Sequence, residues 1–282
     1  MRVMATIAGV REAVRAARCE GRRVGFVPTM GALHAGHVSL IARSAAECGE
    51  TVVSIFVNPS QFNQAEDFER YPRTLERDLE ACRAAGASIV FAPSNEEMYP
   101  RPISTWIEPG AVAEHLCGRF RSGHFRGVAT VVAKLFHAVE ADRAYFGEKD
   151  AQQLAVIQTM VAELNMAVEI VPVATVREAG GLAMSSRNER LSAEERRAAT
   201  VLYAGLRAAL GRLEAGEREA RAVREAALET VAREPSVRVE YLDVADAGTM
   251  QPVERVSGPV RVLVAAWLGG VRLIDNVGFV PG

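Results

Sequence analysis

Apolar residues in the first 175 positions alternate between short continuous runs and stretches with helical spacing. Positions 10–17 carry an apolar face beside a charged one, which predicts a helix. The run 23–29, Arg-Val-Gly-Phe-Val-Pro-Thr, is short, apolar and closed by proline, as a buried strand would be. A turn of small residues follows at 30–37. From 38 to 47 the period becomes helical, with Leu40, Ile41 and Ala45 apolar. The same texture repeats as a strand at 51–57, stopped by Asn58-Pro59, a helix at 75–85 and a strand at 88–91. It continues as a helix at 128–139, a strand at 143–146, a helix at 150–163 and a strand at 168–173. Such alternation predicts an α/β fold, a Rossmann-like parallel sheet with helices on both faces.

Beyond about residue 177 the texture changes. Two Ala/Arg/Glu-rich helices are expected at 193–211 and 217–233, the charged stretch 214–225 being a solvated helix face. Ser192 with Glu195 makes a capping box for the first of them. Strands follow at 237–244, 260–268 and 271–276, the last two split by the hairpin signal Gly269-Gly270. Helices followed by strands read as a smaller α+β domain, so residues 1–176 and 177–282 are expected to be separate domains. The length of 282 residues agrees, since one domain takes roughly 150.

Composition narrows the function. Lys and Arg number 33 against 35 Asp and Glu, and a net charge of -2 argues against a protein built to grip nucleic acid. No apolar run reaches membrane-spanning length and no secretory signal opens the chain, so a cytoplasmic protein without a membrane partner is expected. Cys19, Cys48, Cys82 and Cys117 form no CxxC pair, which fits idle thiols in a reducing compartment.

Four segments carry candidate chemistry. The first, Pro28-Thr29-Met30-Gly31-Ala32-Leu33-His34-Ala35-Gly36-His37, lies where a strand end opens a helix. Free N–H groups and partial positive charge make such a helix start an anion site, and glycine lets backbone approach a ligand. His34 and His37, three apart, share a helix face. A lone capping histidine is the plainer reading, and zinc would need a third ligand that His115, His124 and His137 do not supply in any recognisable spacing. The second, Phe146-Gly147-Glu148-Lys149-Asp150 with Gln152 and Gln153 behind it, puts a lysine at a helix start. An anionic ligand explains that placement, and a surface lysine is the alternative. The third is Met184-Ser185-Ser186-Arg187-Asn188, whose hydroxyls and guanidinium could clamp a polyphosphate. The fourth is Asn58-Pro59-Ser60-Gln61-Phe62 at a strand's C-terminal end, where ligands sit in open α/β sheets. Tyr71 just beyond it is either a pocket wall or a ligand contact.

His34-Ala35-Gly36-His37 resembles the HxGH signature of the nucleotidyltransferase superfamily, and Met184-Ser185-Ser186-Arg187 resembles its KMSKS-type loop. Taken in order with 58–62, 71–74, 125–130 and 147–153, these motifs resemble the pantothenate synthetase (pantoate–β-alanine ligase) family along the whole chain. One departure is Arg177-Glu178-Ala179-Gly180, where that family more often has an acidic residue just before Gly181. The resemblance implies ATP-dependent joining of (R)-pantoate and β-alanine to give pantothenate, AMP and pyrophosphate through a pantoyl adenylate, with Mg²⁺ on the phosphates. By the same resemblance Met30 to His37, Gly147, Glu148, Lys149, Asp150, Val176 and Met184 to Arg187 hold ATP. His37 is then the proton donor, and His34, Lys149, Ser185, Ser186 and Arg187 attend the phosphates. Gln61 and Gln153 hold pantoate, with Asn58 and Tyr71 lining that pocket and Asp78 a metal candidate. The resemblance also implies a homodimer, with the apolar 51–57 run near its interface. The rival readings are a related nucleotidyltransferase acting on another small acid, a tRNA-binding synthetase relative and a non-catalytic nucleotide sensor.

Overall fold

The computed structural model describes residues 1–63 and 65–282. Strands are β1 (Arg2–Met4), β2 (Val24–Thr29), β3 (Glu50–Ile55), β4 (Ile89–Phe91), β5 (Arg143–Gly147), β6 (Glu169–Val173), β7 (Val237–Asp246), β8 (Val260–Leu268) and β9 (Val271–Phe279). The first helices are α1 (Ile7–Cys19), α2 (Ala35–Glu47), α3 (Ala65–Glu69), α4 (Leu75–Ala84), α5 (Asn95–Met98) and α6 (Cys117–Phe120). They are followed by α7 (His124–Val139), α8 (Ala151–Glu163), α9 (Ala193–Ala198), α10 (Thr200–Glu214) and α11 (Ala220–Val231).

The chain divides into two compact units. One comprises Met1–Pro109, Arg121–Glu148 and Val156–Ala174; the other comprises Gly110–Phe120, Lys149–Ala155 and Thr175–Gly282. The first unit is built on a parallel sheet of order β1-β4-β3-β2-β5-β6. From β2 the chain winds outward through β3 and β4 on one side and through β5 and β6 on the other. That reversal marks the switch point where open α/β sheets take ligands. The apolar 51–57 run is β3, paired on both sides with Val52 and Val53 fully buried. Its apolarity is that of an interior strand. The edge strand β1 escapes the hydrophobic pattern because it is three residues long and Arg2 and Val3 are exposed.

In the second unit an antiparallel sheet β7-β8-β9 packs with α10 and α11 around Leu202, Leu206, Leu213, Val223, Val262 and Val264. The hairpin expected at Gly269-Gly270 joins β8 to β9. The helix expected over 193–211 is broken into α9 and α10. The Thr200 hydroxyl donates to the Arg197 carbonyl at 2.7 Å, a local bond that competes with the helical ladder. The Ser192–Glu195 capping box is present, with bonds of 2.8 and 3.1 Å. Two early segments join this unit through polar ties. Gln152 donates to the Val112 and His115 carbonyls at 3.0 and 2.8 Å, and Asn276 donates to the Lys149 carbonyl at 3.0 Å.

Candidate active site

In the first unit, two loops leave the adjacent C-terminal ends of β2 and β3. After β2, Gly31 and Ala32 both adopt left-handed backbone (φ 80° and 50°), turning the chain into α2. A Cβ on Gly31 would lie 2.9 Å from Asp78 Oδ2, so glycine is required by conformation and by space. Asp78 is 1% exposed on α4, and its carboxylate accepts the Ala32 and Leu33 N–H groups at 2.9 and 2.8 Å and the Thr74 hydroxyl at 3.2 Å. Both oxygens are engaged in holding the loop. Among the described residues no three His, Cys, Asp or Glu side chains are grouped to hold a metal ion.

At the start of α2 the two histidines cap one another. His34 Nδ1 accepts the Gly36 N–H at 3.1 Å and His37 Nδ1 accepts the His34 N–H at 3.4 Å, with the ring centroids 4.1 Å apart. The pair fills the places that Ser and Glu take in an ordinary capping box. A ring nitrogen that accepts carries no proton, so each neutral ring bears its proton on Nε2. Two ring donors thus stand at the positive end of a helix, the setting in which anions bind.

After β3, Asn58 is 1% exposed and all its polar atoms are engaged. Its amide donates to Gln61 Oε1 at 3.0 Å and the Gly127 carbonyl at 3.2 Å, while Oδ1 accepts from Ser60 Oγ at 2.9 Å and the Tyr99 hydroxyl at 2.8 Å. Burial pushes the Tyr99 phenol above its ordinary pKa, keeping it a donor. Asn58 therefore shapes this turn. Gln61 Nε2 reaches Met30 Sδ at 3.1 Å, which joins the loop after β3 to the loop after β2. Tyr71 packs edge-on against Phe62 at 5.7 Å.

In the second unit, Lys149, Ser185, Arg187, Asn188, Arg272 and Asp275 line one small cavity. Ser185 caps the 186–190 turn by accepting the Arg187 N–H at 3.3 Å. The Val176 carbonyl accepts the Met184 N–H at 2.9 Å, placing these two expected residues side by side. Arg177, beside the departure from the family pattern, pairs bidentately with Asp275 at 2.6 and 3.0 Å and stacks on Tyr203 at 3.9 Å. Burial pushes the Asp275 carboxyl up from its ordinary value, against the opposing pull of Arg177. Glu178 accepts from Arg196 at 2.7 and 2.8 Å and from Asn188 at 2.9 Å, and the Arg196 bonds hold its carboxyl below the ordinary value. This chain thus anchors the loop by a glutamate three positions before Gly181. Lys149 and Asp150 approach to 3.8 Å, Gln153 is half-buried in the first turn of α8, and Gly147 ends β5 with Glu148 opening the turn that follows.

The pantoate–β-alanine ligase family model matches residues 2–278. The chain belongs to the pantoate–β-alanine ligase family. It is 51% identical to the pantothenate synthetase of Moorella thermoacetica over 278 residues, covering 98% of each chain, and 52% identical to that of Acidobacterium capsulatum, covering 98% and 96%. The crystal structure of pantothenate synthetase from Thermus thermophilus superposes with a TM-score of 0.92 at 44% identity, covering 98% of this chain and 99% of that one. The ligase of Francisella tularensis, in complex with β-γ ATP and β-alanine, superposes with a TM-score of 0.80 at 32% identity and covers 98% and 97%.

Asp275 escaped the sequence reading because it lies among other polar residues of its strand, Arg272 and Asn276, and no period marks it as buried. Replacing its partner in Arg177→Lys keeps the charge but loses the bidentate fork, and should destabilise the protein by about 1–2 kcal/mol. Thermal denaturation would show this as a fall of several degrees in Tm.

Proposed function

We infer that this chain is an ATP-dependent ligase that joins (R)-pantoate to β-alanine in two half-reactions. In the first, a pantoate carboxylate oxygen bonds to the α-phosphorus of ATP as the bond to pyrophosphate breaks. In the second, the β-alanine amine attacks the acyl carbon, the acyl–phosphate bond breaks to release AMP, and the amine gives up a proton to solvent. The contact between Gln61 and Met30 carries this reading, because it brings a primary amide able to pair with a small hydroxy acid against the nucleotide segment. The Francisella tularensis complex supports ATP and β-alanine as ligands of this chain.

Positioning and charge stabilisation carry such a phosphoryl attack, with little covalent chemistry for the protein. We assign His34 and His37, through Nε2–H, to phosphoryl oxygens, and Lys149, Ser185, Ser186 and Arg187 to the triphosphate. Asp150 and Val176 are assigned to the nucleoside, and Gln61 with Gln153 to pantoate. Among the described residues the chain's own carboxylates and histidines do not form a cage for Mg²⁺, and no step is assigned to it. A homodimer and a cytoplasmic location belong to the same proposal. Sedimentation tests the first. For the second, among the described residues no helix is long and apolar enough to cross a membrane.

Pyrophosphate release from ATP and Mg²⁺ tests the reaction. Sustained release should require both (R)-pantoate and β-alanine and yield AMP and pantothenate; no release with pantoate would overturn the reading. Gly127→Ala tests the Gln61 assignment from its supporting helix. A Cβ at 127 would lie 2.3 Å from the Ser60 carbonyl oxygen and 2.8 Å from Gln61 Cα. Such overpacking should cost about 1–3 kcal/mol and displace Gln61. Pantoate KM should rise with ATP KM almost unchanged.

A further inference from the structure

Gln61 is gripped from behind as well as through its side chain. His124 opens α7 just after Gly123, which takes left-handed backbone (φ 75°), and is 7% exposed. Its Nδ1 stands 2.9 Å from the Gln61 carbonyl oxygen, and its Nε2 stands 3.0 Å from Arg121 Nη1. A guanidinium can only donate, so Nε2 must accept and the ring proton lies on Nδ1, aimed at the Gln61 carbonyl. Arg121 thereby selects the tautomer that holds Gln61. The same first turns of α7 press on the loop a second time, at Gly127, whose carbonyl receives the Asn58 amide. Asn58 in turn donates to Gln61 Oε1. The backbone and the side chain of Gln61 are therefore both referenced to one helix end.

We propose that His124 is a positioning residue for the acid-substrate amide of Gln61, with Arg121 setting its tautomer. The proposal rests on the reading that Gln61 binds pantoate. His124 does not touch the reacting atoms; it fixes where the Gln61 amide stands. Loss of the Nδ1–H bond frees the 59–61 turn to shift, which weakens binding of the acid while leaving the nucleotide segment in place.

Two variants that keep the cavity filled separate this role from packing. His124→Leu removes the donor at similar volume, whereas His124→Asn keeps an N–H near the position of Nδ1. With the full-length enzyme, His124→Leu should raise pantoate KM about tenfold, the effect of one buried hydrogen bond, with ATP KM and kcat within about twofold of the parent. His124→Asn should restore pantoate KM to within about threefold. In a Gln61→Ala background His124→Leu should add nothing further, since the two act as one unit. Equal impairment of the Leu and Asn variants, or parallel rises in pantoate and ATP KM, would overturn the proposal. Failure of the underlying reading looks different, because Gln61→Ala would then leave pantoate KM unchanged whatever happens at position 124.

Discussion

His37→Ala is expected to lower kcat by about 10²-fold or more, with a smaller effect on ATP KM. The ring is held at a helix start with Nδ1 occupied by the His34 N–H, which leaves Nε2–H as its donor. Such a donor gains most where charge develops, on phosphoryl oxygens during attack at the α-phosphorus, so its loss falls on the transition state. Removing one preorganised donor of this kind typically costs about 2.7–4 kcal/mol of barrier. The helix cap contributes less, because the bond at 3.4 Å is long. His37→Gln sharpens the test, since its amide N–H can reach the region of Nε2. If the ring acts by hydrogen-bond donation, Gln should recover at least tenfold of the lost rate; if it hands its proton over completely, Gln should be as poor as Ala. Unchanged turnover in the alanine variant would remove His37 from the chemistry altogether.

The parts of this molecule that were legible in the sequence are those with a local signature. Strand and helix periods placed β2, α2, β3 and α4 within a few residues, because burying one stripe or run imposes its spacing on the chain. The His34–His37 spacing and the capping box at Ser192 were legible for the same reason: both bonds close within three residues. What could not be read depends on pairing across long separations. Asp78 lies 45 residues from the Leu33 amide it accepts, and Asp275 lies 98 from Arg177. No period marks either carboxylate as buried. Asn58 was placed in the pantoate pocket by resemblance alone, and its bonds to Tyr99 and Gly127, which come from distant elements, left no mark in the local sequence.

Asp78→Ala is expected to destabilise the protein by about 3–5 kcal/mol, measured with neither nucleotide nor metal present. The carboxylate is buried and accepts two backbone N–H groups from a turn in which two successive residues are left-handed. Charged acceptors bind more strongly than neutral ones, and their removal leaves both buried amides without the partner that compensates their desolvation. At roughly 2–4 °C per kcal/mol, Tm should fall by about 10 °C. Asp78→Asn should lie between, since its carbonyl still accepts while its amide faces an N–H that it cannot bond. A metal-binding carboxylate would behave in the opposite way: removing it would leave the metal-free Tm unchanged or raised and would alter only the dependence of rate on Mg²⁺. The turn that Asp78 holds sets the entry of α2, and with it the direction of both Nε2 donors. The folded fraction of the alanine variant should therefore also show an ATP KM raised about tenfold, with loss of stability and loss of nucleotide affinity arising from the same two bonds.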